Sequence, residues 1–300
     1  MEEFKSGFVS LLGRTNVGKS TLINALSGEK VAIATSKPQT TRTAIKAIVS
    51  EKNYQIVIID TPGIHKTKTK LGETMIDTAY KTMEDVDCVL YLVEANHSTI
   101  GPGDRAILDK IKELHKKCIL IINKIDLISK EKLIEVINLY KNEYSFEAVV
   151  PICAVKNKGI DELKKEIVKL LPEGPKYYDE EEYTDQTSRQ LAEEIIREKA
   201  LKLLNDEIPH GIYVEIDKFQ YRKNQKNIEI CDIYATIYCI RESHKGIIIG
   251  KNGDKLKRIG TYARQDLEKL LDTKVNLKLW VKVSKDWQEK DNIIKRFKLK

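Results

Sequence analysis

The chain has 300 residues, of which 41% are apolar and 32% charged, with a formal net charge of +7. That length exceeds one ordinary domain of about 100–200 residues, so two units with separate cores are expected, and the composition excludes both a mainly disordered and a mainly membrane-embedded chain. No apolar stretch approaches bilayer length, and the acidic start from Met1 to Gly7 lacks an apolar signal core, so residence in the cytoplasm is expected.

In chain order, Gly7–Leu12, Gln55–Ile59, Cys88–Val93, Cys118–Ile122 and Ala148–Ile152 are short apolar runs that read as buried strands. Helix-length segments lie between them, among them Lys19–Leu26, Asp104–Leu114, Lys130–Tyr144 and Gly159–Leu171. Such alternation predicts βαβ units around a mostly parallel sheet with helices on both faces, an α/β domain whose ligand sits beyond the strand C-termini. Pro172, Gly174 and Pro175 stop the last helix, and the acidic stretch Tyr177–Asp185 has no periodicity. The expected division is therefore 1–172 for the first domain, 173–187 for a linker, 188–284 for a second domain and 285–300 for a helical tail.

In the second domain, Ser188–Asn205 predicts an amphipathic helix through Leu191, Ile195, Leu201 and Leu204. Strands follow at Ile212–Asp217, Ile228–Ile240 and Val275–Val283, with two short helices between the last two, separated by Gly250-Lys251-Asn252-Gly253. A final helical stretch is predicted over Trp287–Phe297. The five cysteines lie far apart, mostly in apolar runs and without metal-ligand spacing, so they are expected to be reduced core residues. Charge is unevenly spread: residues 208–300 carry 21 basic and 12 acidic groups, an excess that suits a polyanion or an acidic membrane surface, or else makes an ordinary solvated face.

Gly13-Arg14-Thr15-Asn16-Val17-Gly18-Lys19-Ser20, with Thr21, follows a predicted strand and opens a predicted helix. In that setting the glycines let successive N–H groups turn towards phosphates, Lys19 reaches the β- and γ-phosphates, and the Ser20 hydroxyl is placed to ligate Mg²⁺. Asp60-Thr61-Pro62-Gly63 ends the second predicted strand, where Asp60 would hold a metal-bound water and the Gly63 N–H would meet a γ-phosphate, distinguishing GTP from GDP. Asn123-Lys124-Ile125-Asp126 ends the fourth strand. A carboxylate at Asp126 accepts two hydrogen bonds from guanine, which adenine cannot supply, a discrimination of about 10⁴-fold. Cys153-Ala154 would offer a backbone N–H to guanine O6.

In this order the four pieces resemble the translation-factor-related GTPases, and Thr35-Ser36-Lys37-Pro38-Gln39-Thr40-Thr41-Arg42 resembles the first switch of the Era family. The resemblance implies that Thr41, with Thr40 as the alternative, binds Mg²⁺ in the GTP state, and that Lys19, Thr41 and Gly63 serve hydrolysis. Two positions depart from related proteins. Cys153 stands where serine is usual, and Ile64 stands where Ras-like proteins carry a water-orienting glutamine. A branched alkyl group cannot orient water, so slow intrinsic hydrolysis is expected, completed by another group, a partner or a cation. Asn16 occupies the loop position that goes with K⁺ coordination in related GTPases, or else caps the loop backbone.

The Gly250-Lys251-Asn252-Gly253 turn lies within a helix–strand–strand–helix–helix–strand order that matches the α+β type II KH fold, with Lys255, Lys257 and Arg258 close behind. Such a loop admits the backbone of single-stranded RNA to two helix ends while the basic residues meet phosphates; a glycine-terminated helix pair at a surface is the plainer alternative. Leu277-Lys278-Leu279-Trp280-Val281-Lys282-Val283 also resembles the last KH strand of the Era family. Trp280 either stacks on a base or packs on a half-buried strand, and the tail at 287–300 is a further RNA candidate. Membership would imply a monomeric bacterial assembly GTPase that binds the 3′ end of 16S rRNA, joins the 30S subunit in its GTP state, and touches the inner membrane peripherally. Three competing readings are a membrane-bound signalling GTPase, a passive RNA-binding protein whose nucleotide is structural, and a tRNA-modifying GTPase. The GxxG turn argues against the first, Ser20, Thr41 and Asp60 against the second, and the absence of a cysteine or cofactor motif against the third.

Overall fold

In the computed structural model, residues 3–35, 45–63, 69–97, 99–204 and 208–295 are described. Strands β1 (Lys5–Leu12), β3 (Tyr54–Asp60), β4 (Cys88–Glu94), β5 (Cys118–Asn123) and β6 (Ala148–Pro151) form a parallel array, which β2 (Ile45–Glu51) joins antiparallel to β3. The sheet order is β2-β3-β1-β4-β5-β6. Successive residues of one strand face opposite cores. Cys88, Leu90 and Leu92 pack on one side, with α1 (Lys19–Ser27) and α5 (Ile160–Leu170). Val89, Tyr91 and Val93 pack on the other, with α2 (Lys70–Glu84), α3 (Pro102–Leu114) and α4 (Lys130–Lys141). Burial on both faces is why these strands are near-continuous apolar runs rather than alternating ones.

Two elements were not anticipated: β2, which begins right after the first-switch motif, and α2, whose buried Leu71, Met75, Ala79 and Met83 are interleaved with threonines and charges. The last predicted tail helix is reduced to a turn at Trp287–Glu289 and one helical turn α9 (Asp291–Ile294), and Phe297 lies outside the described residues.

Residues 173–185 of the segment expected to be a linker are part of the first unit, which also takes in the tail from Asp291, and Gln186–Lys290 belong to the second. The segment's polar backbone, not its side-chain pattern, explains this. Pro172 O accepts from Ser6 N, and Gly174 N donates to Phe4 O. The fully buried Gln55 accepts from the N–H groups of Tyr177 and Tyr178 (2.8 and 3.1 Å) and donates to Tyr178 O (2.9 Å). Ile48 N then donates to Tyr183 O, Thr184 pairs antiparallel with Ala47, and Asp185 accepts from Lys46 N. Residues 183–185 thus close the open edge of β2.

The second unit comprises α6 (Ser188–Leu203), β7 (Tyr213–Lys223), β8 (Glu229–Cys239), α7 (Glu242–Ile249), α8 (Asp254–Leu270) and β9 (Lys274–Val283). Thr187 and Gln190 form a reciprocal cap that starts α6. The sheet order is β7-β8-β9, antiparallel then parallel, the type II KH arrangement. Cys231, Ile233, Ala235, Ile237 and Cys239 turn one face of β8 into core, and α6 and α8 pack together across it with Leu191, Ile195, Ile259, Ala263 and Leu267 buried. All five cysteines are free and buried; desolvation pushes the Cys88 thiol up to about 12, so it stays protonated.

Candidate nucleotide site and KH groove

The C-terminal ends of β1, β3 and β5 place three motifs side by side. Gly13 has φ +157°, and a Cβ there would meet the carbonyl oxygen of Leu92 at 2.5 Å, so only glycine lets the loop leave β1 beside β4. The loop returns to α1 through Gly18 (φ +104°), where a side chain would collide with the Asn123 amide. Val17 packs into the core, and Thr21 continues helix α1. Between the glycines Asn16 is left-handed (φ 66°) and exposed, a conformation asparagine tolerates better than most residues. Among the described residues its side chain makes no hydrogen bond, so the proposed backbone-capping role for it is not seen in the structure.

Lys19 Nζ curls over the loop and donates to the carbonyls of Gly13 (3.0 Å) and Arg14 (2.9 Å). Burial lowers its pKa to about 8, opposed by the nearby negative charge of Asp60. Asp60, fully buried at the end of β3, and the nearly buried Ser20 at the start of α1 offer a carboxylate and a hydroxyl, a hard oxygen set that suits Mg²⁺. Thr61 Oγ1 donates to Leu11 O (2.8 Å), fixing Pro62 and Gly63 beside the loop. A Cβ on Gly63 would lie 2.9 Å from Thr15 Cγ2 and 3.1 Å from Lys19 Nζ, so its backbone sits against the phosphate loop. Thr40, Thr41, Arg42 and Ile64 lie outside the described residues.

Asn123 holds the base motif to the rest. Its Nδ2 donates to Val17 O (2.9 Å) and its Oδ1 accepts from Ala154 N (3.1 Å). Lys124 Nζ donates to Asn16 O (3.0 Å) and to Glu94 (2.7 Å), a carboxylate that belongs to none of the sequence motifs. Asp126 accepts from the Cys153 thiol (3.2 Å) and pairs with Lys156 (3.1 Å); these hydrogen bonds, the thiol's first, hold its pKa below the usual carboxylate value. The expected donor to guanine O6, Ala154 N–H, is thus already engaged by Asn123, and an incoming O6 would share or take over that donor. A second unanticipated group is Asp104 on α3, which joins Arg14 to the buried Tyr91 hydroxyl (3.2 and 3.1 Å). Both carboxylates act across long sequence gaps, and no local pattern marks them.

In the second unit Gly250 (φ +76°) and Gly253 (φ +80°) bracket a turn between α7 and α8 in which Asn252 is also left-handed. Gly253, Leu256, Lys257, Gly260, Thr261, Arg264, Leu277 and Leu279 line an open groove of about 560 Å³, polar along α8 and apolar along β9. Lys251 is exposed beside its mouth, and Lys255 packs its stem against Gly250. Arg258 lies one residue beyond Lys257, facing solvent.

A phosphate loop, a buried switch carboxylate and a guanine-type carboxylate on one sheet edge, followed by a GxxG groove, define a P-loop GTPase carrying a type II KH domain. Residues 8–124 match the 50S ribosome-binding GTPase family and residues 207–288 the KH domain family. The chain is 52% identical to GTPase Era of Caldanaerobacter subterraneus over 98% of its own length and 97% of that protein's, and 52% identical to GTPase Era of Clostridioides difficile over 98% of both. It belongs to the Era family of GTPases. Among solved structures it superposes on Era in complex with MgGDPNP and nucleotides 1506–1542 of 16S ribosomal RNA with a TM-score of 0.91, at 40% identity over 98% of each chain. An Aquifex aeolicus Era variant bound to GDP·AlF4⁻ gives 0.92 at 38% identity, over 98% of this chain and 99% of that one.

Proposed function

We propose that this GTPase is a switch whose KH groove binds the 3′-terminal segment of 16S rRNA during small-subunit assembly. The observation that carries the reading is the full-length likeness to an Era that holds MgGDPNP and nucleotides 1506–1542 together, joined to a groove here with glycine at both turn ends and Lys257 and Arg264 on its wall.

In this reading the loop N–H groups from Arg14 to Ser20 and the start of α1 bind the phosphates, and Lys19 exchanges its two carbonyl partners for β- and γ-phosphate oxygens. Ser20 and Thr41 would hold Mg²⁺, with Asp60 placed to hold a water on it; the ion would offset phosphate charge that develops during transfer. Gly63 N–H donates to the γ-phosphate and so reports its presence. Asp126 accepts from the guanine edge after displacing Lys156 and the Cys153 thiol, while Asn123 and Lys124 keep base loop and phosphate loop in register. Lys251, Lys255, Lys257 and Arg258 meet RNA phosphates around Gly250, Asn252 and Gly253. Ile64 after Gly63 cannot orient water, and a monovalent cation held at Asn16 would offset the charge that develops on the transferring phosphate, the part an arginine finger plays in related enzymes.

The test is steady-state phosphate release from GTP and from ATP in Mg²⁺, with KCl or NaCl, with and without an RNA copying nucleotides 1506–1542. The expected result is turnover of GTP alone, faster in KCl and faster with RNA. Equal rates in the two salts would remove the cation role, and RNA that neither binds nor accelerates would remove the KH reading. Peripheral contact with an anionic membrane is a second reading, favoured by the basic excess in residues 208–300; among the described residues no helix is long and apolar enough to cross a membrane. Anionic vesicles that bind more tightly than RNA would favour it.

A further inference from the structure

β9 is an edge strand with two different faces. Leu277 and Leu279 look into the groove, whereas Lys274, Lys278, Trp280 and Lys282 alternate with them and stand exposed on the side of the sheet away from α6 and α8. Trp280 is 45% exposed. Its ring meets the Tyr234 ring edge-on, centroids 5.8 Å apart at 73°, and Lys218 and Lys278 lie 5.1 and 5.0 Å from the Tyr234 centroid. The carboxylate at the middle of this face is already compensated: Asp232 is buried and accepts from Arg222 (2.8 Å) and Asn276 (2.8 Å), with Lys218 3.5 Å away. Asp217 is bonded to Thr236. Among the described residues Lys274, Lys278 and Lys282 have no carboxylate within ion-pair distance, so the face presents uncompensated cations around an open aromatic ring.

The Tyr213 and Tyr238 end of this face is covered by Trp287, and we propose that its open β9 part, centred on Trp280 with Lys278 and Lys282, is a second contact surface for single-stranded RNA, reached from the groove around the edge strand β9. The proposal rests on the RNA-binding reading of the groove. Lys278 and Lys282 flank Trp280 two residues away on either side, about 6.6 Å along the strand, so one base stacked on the ring has cations beside both neighbouring phosphates. A ring face is useful only to an unstacked base, which a single strand offers and a duplex hides. Being at the sheet edge matters as well, since no further strand separates the groove side of β9 from its other side.

Binding of the full chain with MgGDPNP to RNA copying nucleotides 1506–1542 tests this, read by filter retention across a salt series. Trp280→Ala is expected to weaken binding about tenfold, since base stacking on an aromatic side chain is of that order or larger, and Trp280→Phe to restore most of it. Lys278→Ala with Lys282→Ala is expected to weaken binding and to make the log–log salt dependence shallower by about 1.4, two single-strand phosphate contacts at about 0.7 each. All of these should keep wild-type GTP turnover without RNA. If they bind RNA as wild type does while Gly253→Asp does not bind, the second surface is overturned and the groove stands. If Gly253→Asp also binds as wild type does, the groove reading falls and takes this one with it. If the lysine variant loses only phosphatidylglycerol vesicles and keeps RNA affinity and salt slope, the face belongs to lipid and the proposal is overturned.

Discussion

Arg14 in the phosphate loop and Asp104 at the start of α3 share a hydrogen bond of 3.2 Å, and the other oxygen of the same carboxylate accepts from the buried Tyr91 hydroxyl at 3.1 Å. The two halves of that link are unequal. Arg14 is well exposed and its ion pair is screened, whereas Tyr91 has no water to turn to. Asp104→Ala is therefore expected to cost about 1–3 kcal/mol by removing the charged acceptor of the Tyr91 hydroxyl, which keeps only Tyr140 beside it, and Arg14→Ala less than about 1 kcal/mol. Equal melting shifts for the two variants would show that the tyrosine bond contributes nothing.

Asp126→Asn replaces two acceptors facing the base with an acceptor and a donor. GTP affinity is expected to fall at least a hundredfold while xanthine nucleotides gain, their O2 accepting from the new amide. Lys156→Ala removes a cation that occupies the same carboxylate, and should leave GTP affinity unchanged or tighten it. Titration with fluorescent GTP and XTP analogues reads both; unaltered GTP binding by Asp126→Asn would refute the base assignment.

The two turn glycines should fail differently. A Cβ at Gly250 would lie 2.8 Å from Lys255 Cβ and 3.0 Å from its N, so Gly250→Ala must push the start of α8 and should lower the melting temperature. Gly253 has nothing within 4 Å. Gly253→Asp adds only the strain of a left-handed side chain, about 1–3 kcal/mol, and should leave the fold and GTP binding intact while abolishing RNA binding. Loss of GTP binding in Gly253→Asp would contradict that division.

Burial holds Lys19 at about 8 instead of 10.5, because desolvation outweighs the attraction of Asp60. Phosphates raise it again on binding, so the complex holds more protons than the free protein above pH 8, and GTP affinity should decline as pH rises through 8 to 9. Calorimetry in buffers of different ionisation enthalpy should register proton uptake at pH 8.5 and little at pH 7. Identical heats after buffer correction at both would mean that Lys19 is already charged in the free protein.

Much of the nucleotide site could be read in advance because its chemistry is local: glycines at 13 and 18, a lysine and a serine opening a helix, an aspartate closing a strand. The five parallel strands were legible for a related reason, burial on both faces turning each into an apolar run. What escaped depends on distant partners. Asp104 meets Arg14 across 90 residues and Glu94 meets Lys124 across 30, so neither had a sequence signature. Trp280 could be placed on a strand but not on a face until β9 was paired with β8. The acidic segment before α6 looked unstructured because Gln55, 122 residues earlier, supplies its bonds to Tyr177.

That segment also decides where the first unit can be cut. A fragment ending at Pro172 would leave the outer N–H and C=O groups of β2 bare and strand the buried amide of Gln55. An uncovered edge strand is a template for pairing with another copy of itself. Residues 183–185 occupy that template in the whole chain, so they protect the GTPase unit against self-association as much as they lead to its neighbour, and a fragment carried through to Asp185 is the one that should remain soluble.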